Sequence, residues 1–351
     1  MQLTITAKIK INPIPEQIGL LQETLKAYRN GCNFLSQIIF ETKEIVQAKL
    51  HKIAYKTLRS DFSLRSQMAQ SVMKTVIARY KSAKTNGHDW AKIRFKKPEY
   101  DLVWNRDYSL TKGLFSINTL HGRVKVPFEA KGMEQYFDGS WSFGTAKLVN
   151  KYGKFFFHIP MTKEIPEVSE HTFSQVVGVD MGINFVAVSY DSDGKSLFFN
   201  GRSIKDKRSK YKYMRKQLQR LGAASARRKL KRIGQKENRW MTDVNHSVSK
   251  ALVERYGANT LFVVENLTGV RHATERVRVK DRYETVSWAF YQLRQMIEYK
   301  ACIVGSKVIA VDPCFSSQTC PKCRHTKKAN RNKKKHIFCC KKCDTHQMMT
   351  V

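Results

Sequence analysis

Two short runs of this chain are apolar throughout, and each is closed by a carboxylate: Val176-Val177-Gly178-Val179-Asp180 and Leu261-Phe262-Val263-Val264-Glu265. A strand with one wet face alternates apolar and polar residues. A continuous apolar run predicts instead a strand buried on both faces, inside a layered sheet. After the first run, Phe185 to Tyr190 reads as a second strand. Asp191-Ser192-Asp193-Gly194 then turns into a third at Leu197-Phe198-Phe199. A helical stretch from about Asp206 to Tyr256 leads to the second run. A further helix, Trp288 to Ala301, precedes a short strand at Val308-Ile309-Ala310-Val311.

Three consecutive strands, then helix, strand, helix and strand, is an order that resembles an RNase H-like α/β fold. Ligand and metal sites in open α/β sheets gather at the carboxyl ends of strands. Asp180 and Glu265 both stand at such ends. Hydrolysis of a phosphodiester needs a more basic attacking water and a stabilised leaving oxygen, and two Mg²⁺ ions about 3.5–4 Å apart supply both. Mg²⁺ takes hard oxygen ligands and keeps several waters, so a few strand-end carboxylates suffice to hold it. Either residue alone is as readily a helix cap or a partner for a nearby backbone amide. As a pair, with basic helices between them, they favour a catalytic metal site.

The first half reads differently. Leu3, Ile5, Ala7, Ile9 and Ile11 alternate with polar residues, the pattern of a half-buried strand. Pro13 and Pro15 end it, and Pro15 suits the first turn of a helix. Ile18, Leu21, Leu25, Tyr28, Cys32, Leu35 and Ile39 then repeat at spacings of three and four, one long amphipathic helix with Gly31 as its weak point. More helix is expected from about Ile53 to Lys84, with Met68, Val72, Val76 and Tyr80 on one stripe. The apolar stripes pack against each other. The basic residues beside them, Lys74, Arg79, Lys81 and Lys84, are free to follow a nucleic-acid backbone. From about Phe95 to Pro160 the pattern turns to short β-segments. There Lys147-Leu148-Val149 and Phe155-Phe156-Phe157 flank a hairpin turn at Asn150-Lys151-Tyr152-Gly153. Lys163 to Ser174, with Pro166, reads as a linker.

Charge then selects the partner. Of 351 residues, 64 are Lys or Arg and 29 Asp or Glu, a formal net charge of +35. Such an excess repels itself, and a polyanion relieves it while releasing its own counterions. An anionic membrane surface is the rival partner, but no stretch approaches the roughly 18 apolar residues of a spanning helix. The amino terminus alternates like a strand and has no signal-peptide pattern. The chain is therefore expected to be cytosolic and soluble. Between Arg202 and Arg239 there are 16 Lys and Arg against Asp206 and Glu237 alone. A solvated helix face usually mixes both signs. This one-signed stretch nominates Arg208, Lys212, Arg215, Lys216, Arg227, Arg228, Lys231 and Arg232 as nucleic-acid contacts.

Five of the eight cysteines crowd into the short stretch from Cys320 to Cys343. Cys320-x2-Cys323 and Cys340-x2-Cys343 flank the segment Arg324 to Cys339, the form of a zinc ribbon with four thiolate ligands. Cys339 competes with Cys340, but only Cys340 keeps the two-residue gap. His325, His336 and His346 lie nearby and read as surface histidines. Cys32, Cys302 and Cys314 read as ordinary core residues. Ten Lys and Arg and no acidic residue fall between Cys320 and Cys343, so the ribbon itself is expected to touch phosphate.

At these residues the chain resembles TnpB-type (OrfB) proteins, the transposon-encoded relatives of miniature type V CRISPR effectors. Val177-Gly178-Val179-Asp180-Met181-Gly182 is similar to their first RuvC motif, and Val264-Glu265-Asn266-Leu267 to their second. Trp288, Tyr299-Lys300-Ala301, Gly305, Val311-Asp312-Pro313 and Ser316-Ser317-Gln318-Thr319-Cys320-Pro321-Lys322-Cys323 continue the resemblance in order. It is strongest from Val177 to Cys343, while the first half fits by layout.

The resemblance implies an α+β multidomain chain. A β-barrel-like, wedge-like lobe (1–14 and 95–165) would carry a helical recognition insertion (15–94). An RNase H-like (RuvC) domain (175–313), a zinc ribbon (314–344) and a tail (345–351) would follow. It also implies RNA-guided DNA binding: a guide RNA from the transposon end pairs with one strand of a double-stranded DNA target, while the protein reads a short flanking motif. Such proteins are often labelled transposases. By resemblance they cut donor sites to promote transposon retention, a separate enzyme performing the strand transfer. Asp180 and Glu265 would hold catalytic Mg²⁺, and Cys320, Cys323, Cys340 and Cys343 a structural Zn²⁺.

One departure stands out. The family continues past its last zinc cysteine into a third motif, an Asp followed shortly by Asn-Ala-Ala. Here the sequence reads Asp344-Thr345-His346-Gln347-Met348-Met349-Thr350-Val351, with Asp344 where the family has glycine. The expectation is impaired cleavage with binding retained. Two alternatives stand beside it: a nuclease-dead guided repressor, and a frameshifted transposon remnant.

Overall fold

The computed structural model describes residues 2–166, 173–267, 290–332 and 337–348. Trp288, His336, Met349, Thr350 and Val351, and the middle of the expected linker, lie outside the described residues. The chain forms two compact units, Gln2–Glu164 and Ile165–Val351. No described helix is long and apolar enough to cross a membrane.

In the first unit, β1 (Gln2–Ile11) buries Leu3, Ala7, Ile9 and Ile11, following its alternation. Pro15 then opens α1 (Pro15–Thr42), whose buried stripe runs Leu21, Leu25, Tyr28, Cys32, Leu35 and Ile39. The helix runs unbroken through Gly31. This glycine is buried, and a Cβ there would lie 3.0 Å from Leu64 and 3.1 Å from Leu58. Gly31 is thus the point of close approach to α2 (Gln47–Ser60) and the turn after it. The helical region expected from Ile53 to Lys84 holds the end of α2 and then α3 (Ser66–Thr85), with Asp61 to Arg65 between them. Ser63, with φ +52, reverses the chain within that break. Lys74, Arg79, Lys81 and Lys84 are exposed on α3, while Met68, Val72, Val76 and Tyr80 are buried.

The remaining strands of this unit are short. They are β2 (Glu99–Leu102), β3 (Tyr108–Thr111), β4 (Leu114–Thr119), β5 (Gly122–Val126), β6 (Phe128–Glu129), β7 (Ser142–Phe143), β8 (Ala146–Lys151) and the longer β9 (Lys154–Glu164). One sheet has the order β2-β8-β9-β1-β6, with β7 also on β9; β3, β4 and β5 form another. Buried Tyr108, Phe115 and Phe157 tie the two sheets together, with ring centroids 5.1–6.4 Å apart. The β8–β9 hairpin turns at Tyr152 and Gly153, both at positive φ as a type I′ turn requires.

The second unit is built on a mixed sheet. Its strands are β10 (Gln175–Asp180), β11 (Phe185–Asp191), β12 (Ser196–Asn200), β13 (Thr260–Glu265) and β14 (Lys307–Val311), in the order β12-β11-β10-β13-β14. The first three strands are antiparallel neighbours, and β13 and β14 run parallel to β10. Between β12 and β13 come α4 (Arg202–Leu221) and α5 (Ala224–Tyr256), which make up the helical stretch read from the sequence. Gly222, at φ +60, separates them. α6 (Phe290–Ile303) joins α5 to cover one face of the sheet, where Val177, Val179, Phe262 and Val264 pack with Val248, Leu252, Leu293 and Ile297.

The expectation that β10 is buried on both faces fails. Val176 is 45% exposed, and Tyr190 on the adjoining strand 60%, because α5 and α6 take only the alternate residues of each strand. Gly201, just before α4, permits a close backbone approach. A Cβ there would sit 2.5 Å from the Ile183 carbonyl and 2.9 Å from that of Asn184. The unit ends in a small sheet of β15 (Arg331–Asn332), β16 (Ile337–Cys339) and β17 (His346–Met348), in that order.

Candidate functional site

Strand register explains how two carboxylates far apart in sequence come to one edge. Val179 on β10 is paired with Val264 on β13, so the next residues, Asp180 and Glu265, leave two adjacent parallel strands together. Glu265 is in turn paired with Val311, so Asp312 follows at the same edge of β14. Asp312 is engaged locally, accepting the Cys314 amide at 2.8 Å. One oxygen of Glu265 accepts the Ser316 hydroxyl at 2.9 Å, a contact that sequence reasoning missed. Partial loss of hydration raises the Asp180 carboxyl above its ordinary range, and the negative charge of Glu265 raises it further. The Met181 amide and the Arg331 guanidinium oppose that shift. A carboxyl whose ionisation is opposed by a neighbouring carboxylate marks a site whose charge a divalent cation would satisfy. Among the described residues, no third carboxylate, histidine or cysteine clusters with them.

The cysteines are assembled more completely. The sulfurs of Cys320, Cys323, Cys340 and Cys343 all lie within 4.8 Å of one another, and two contacts are 3.6 and 3.5 Å. A tetrahedron of 2.3 Å zinc–sulfur bonds has edges of about 3.8 Å, so this donor set fits zinc. Each Cys-x-x-Cys pair makes the same turn. In the first, the Cys320 amide donates to the His325 carbonyl and the Arg324 amide to that of Cys320. In the second, the Cys340 amide donates to the Thr345 carbonyl and the Asp344 amide to that of Cys340. Both turns place a left-handed residue just after the second cysteine. Arg324 (φ +58) and Asp344 (φ +50) fill a position that suits glycine.

Close packing makes the thiols influence one another's ionisation. Bonds from the Thr345 hydroxyl and amide bring Cys343 down to about 6. Cys323 is pushed up to about 12: the His325 amide favours its thiolate, but lost hydration and the other sulfurs outweigh it. Cys339 lies outside the cluster and meets the ring of His346 at 3.3 Å. His325 takes part through its backbone, and its ring is not among the clustered donors. Buried Asn330, also missed in the sequence, knits the two turns. Its side chain donates to the carbonyls of Gln318 and His325 and accepts the Lys341 amide. Of the three isolated cysteines, Cys32 and Cys302 are buried as expected, but Cys314 is exposed, since it lies on the turn after β14.

The basic helices divide into two groups. Lys216, Arg227, Arg228, Lys231 and Arg232 are exposed, and Lys212 and Arg215, on the same helix pair, are half-buried. Arg208 does not belong with them. It is only 4% exposed and lies 3.8 Å from Glu237, itself 4% exposed, which Arg215 also engages. The correction has a physical basis: the one acidic side chain buried between α4 and α5 needs cationic partners, and Arg208 is the residue turned inward to meet it. A single Glu among so many cations was the available signal. Lys207 also lies 4.3 Å above the Trp240 ring, across the two helices.

Comparison with known proteins follows the same division. A family profile described as a probable transposase (OrfB_IS605) matches residues 158–275, and one described as Cas12f1-like, TNB domain matches residues 290–348. A CRISPR-associated endodeoxyribonuclease Cas12f2 of a Micrarchaeota archaeon is 30% identical over 201 residues, covering 54% of this chain and 36% of that protein. A TnpB-like protein of Methanocaldococcus jannaschii is 26% identical over 209 residues, 57% of this chain and 72% of that one. The chain spans about half or less of the length of the curated Cas12f relatives it matches. In three dimensions, a Cas12f1–sgRNA–target DNA complex contains a chain that aligns with 94% of this one and 80% of itself. The TM-score is 0.58 at 14% identity, a likeness of fold. Between them the two profiles match most of the chain from residue 158 to 348, so the second half is similar in sequence to TnpB-type proteins and to the miniature Cas12f effectors, and the chain shares the Cas12f fold.

Proposed function

We propose that this protein is an RNA-guided DNA-binding protein of an insertion sequence, with an RNase H-like (RuvC) nuclease site at the β10–β13 edge. The observation that carries the reading is the convergence of Asp180 and Glu265 beside each other on parallel strands, in a unit whose α4–α5 pair is rich in cations. The strand order, with three antiparallel strands and two parallel to the first, supports the RNase H-like assignment. Residues 1–14 and 95–165 would then be the wedge-like lobe, 15–94 the recognition insertion, 175–313 the nuclease domain and 314–344 the ribbon. The guide RNA of the transposon end would pair with target DNA, as sgRNA and target DNA accompany the related Cas12f1 chain.

Each group of residues has a separate task. Asp180 and Glu265 would hold Mg²⁺, and Ser316 fixes the orientation of Glu265 by its hydrogen bond. Bound there, Mg²⁺ supplies the Lewis acidity that phosphodiester hydrolysis needs. Arg227, Arg228, Lys231 and Arg232 on α5, and Lys212, Arg215 and Lys216 on α4, would meet phosphates without reading sequence. Cys320, Cys323, Cys340 and Cys343 would hold Zn²⁺ and so fold a segment too small to fold unaided. Arg208 serves the helix pair from inside.

A second reading, guided binding without cutting, is favoured by one observation: among the described residues no third ligand group clusters with Asp180 and Glu265, and Asp312 at the same edge is bound to the Cys314 amide. Protein purified with its flanking RNA decides between them, given matched duplex and Mg²⁺ with Asp180→Ala as control. Cutting that the control abolishes supports the nuclease reading. Matched binding without cutting supports the second. Absence of both refutes the proposal.

A further inference from the structure

The turn between β14 and the first cysteine pair carries a side chain that the proposed chemistry leaves unused. Phe315 is 57% exposed and has φ +60, a left-handed backbone that bulky L residues rarely adopt. Its conformation is held from several sides. The Phe315 carbonyl accepts the amides of Gln318 at 2.8 Å and Thr319 at 3.0 Å, and the Thr319 hydroxyl at 3.0 Å. On its other side the Asp312 carboxylate fixes the Cys314 amide. The next residue, Ser316, donates to Glu265. An aromatic residue is therefore kept in an unfavourable backbone conformation, its side chain exposed, beside a residue bonded to Glu265. It adds nothing to a core. Strain maintained by surrounding bonds at the rim of a site is where a functional role is to be sought.

The surroundings narrow what the ring would meet. The Arg331 guanidinium donates to Ser317 at 3.0 Å, and the adjoining ribbon is wholly cationic among its charged residues from Cys320 to Cys343. An apolar peptide finds nothing complementary there. A single nucleic-acid strand does, since it offers phosphates to the cations and a π-face to the ring. We propose that Phe315 is a substrate-positioning residue, its ring stacking on an unpaired base of the DNA strand whose phosphate reaches Asp180 and Glu265. This rests on the nuclease-site reading above, and adds to it the residue that sets where along the strand the phosphate stops.

The test compares two strands of equal charge, dT12 and a 12-mer of abasic sites, bound to the full chain without Mg²⁺. Wild-type protein, Phe315→Gly and Phe315→Trp are titrated with each. The wild type is expected to prefer dT12 by about tenfold, the size of one stacked base. Phe315→Gly removes most of that preference, leaves abasic binding unchanged, and raises Tm by relieving the backbone. Phe315→Trp restores the preference. The same preference in wild type and Phe315→Gly overturns the role of Phe315 while leaving nucleic-acid binding in place. Failure of the wild type to bind either strand overturns the nuclease-site reading and this proposal with it.

Discussion

Two sets of candidate metal-ligand residues lie in the same compact unit, and they are assembled in opposite ways. The four thiols come from two local turns of identical construction, each positioned by its own backbone bonds. The two carboxylates come from strands separated by two long helices, and meet only because β10 and β13 pair in one register. The first set can be read from spacing. The second exists only if the sheet forms. Local assembly also gives the fuller candidate set: four sulfurs cluster, whereas among the described residues no third group clusters with Asp180 and Glu265.

The largest effect expected from breaking the comparison is on the thiol side. Cys340→Ser should reduce bound zinc from about one per chain to near zero, with loss of amide protection confined to the ribbon. Cys339→Ser should leave zinc unchanged, because that sulfur stands outside the cluster. Metal analysis after gel filtration reads both; equal losses would undo the ligand assignment. On the sheet side, Gly201→Ala forces a side chain into the Ile183 and Asn184 carbonyls. It should cost roughly 3 kcal/mol in urea unfolding, within the range of severe single substitutions, while zinc stays bound. Loss of zinc in this variant would mean that the two assemblies are coupled.

A smaller effect sharpens the thiol side. Arg324→Gly removes a non-glycine residue from the left-handed region and should stabilise the zinc-bound ribbon by about 1 kcal/mol, seen as a higher chelator midpoint. The smallest concerns the carboxylates. Asp180 has a folded pKa above its ordinary value of about 4, so the fold disfavours its ionised form. That cost is complete above the raised pKa and disappears as pH falls to the ordinary value. In metal-free protein, Asp180→Asn should therefore add about 0.5 kcal/mol at pH 7, a figure kept low because the side chain is solvent-screened. It should also flatten the pH profile between those two values. A destabilised Asp180→Asn would contradict the electrostatic account of the pair.

What is legible in the sequence follows the same line between local and distant. The alternation of Leu3 to Ile11, the stripe from Leu21 to Ile39 and the choice of Cys340 over Cys339 depend on spacing alone, and their burial or clustering agrees with it. Gly31 reads locally as a weak point, yet its value lies in neighbours on other elements, Leu58 and Leu64. Arg208 escapes for a related reason. Within a uniformly basic helix, spacing does not tell which cation turns inward, and that choice belongs to Glu237 on the next helix. The apolar run of β10 suggests two covered faces, but only packing partners decide that, and α5 and α6 cover one. Ser316 reaches Glu265 from beyond the next helix and strand, outside any local pattern.

The most direct test of the proposed function is the affinity of the protein, purified with RNA from its flanking region, for duplex DNA that matches that RNA against scrambled duplex of equal length. The account predicts at least about tenfold tighter binding to the matched duplex at physiological salt, a preference that base pairing supplies and protein cations alone do not. Equal affinity for the two duplexes would contradict guided recognition and leave a protein that holds nucleic acid by charge alone.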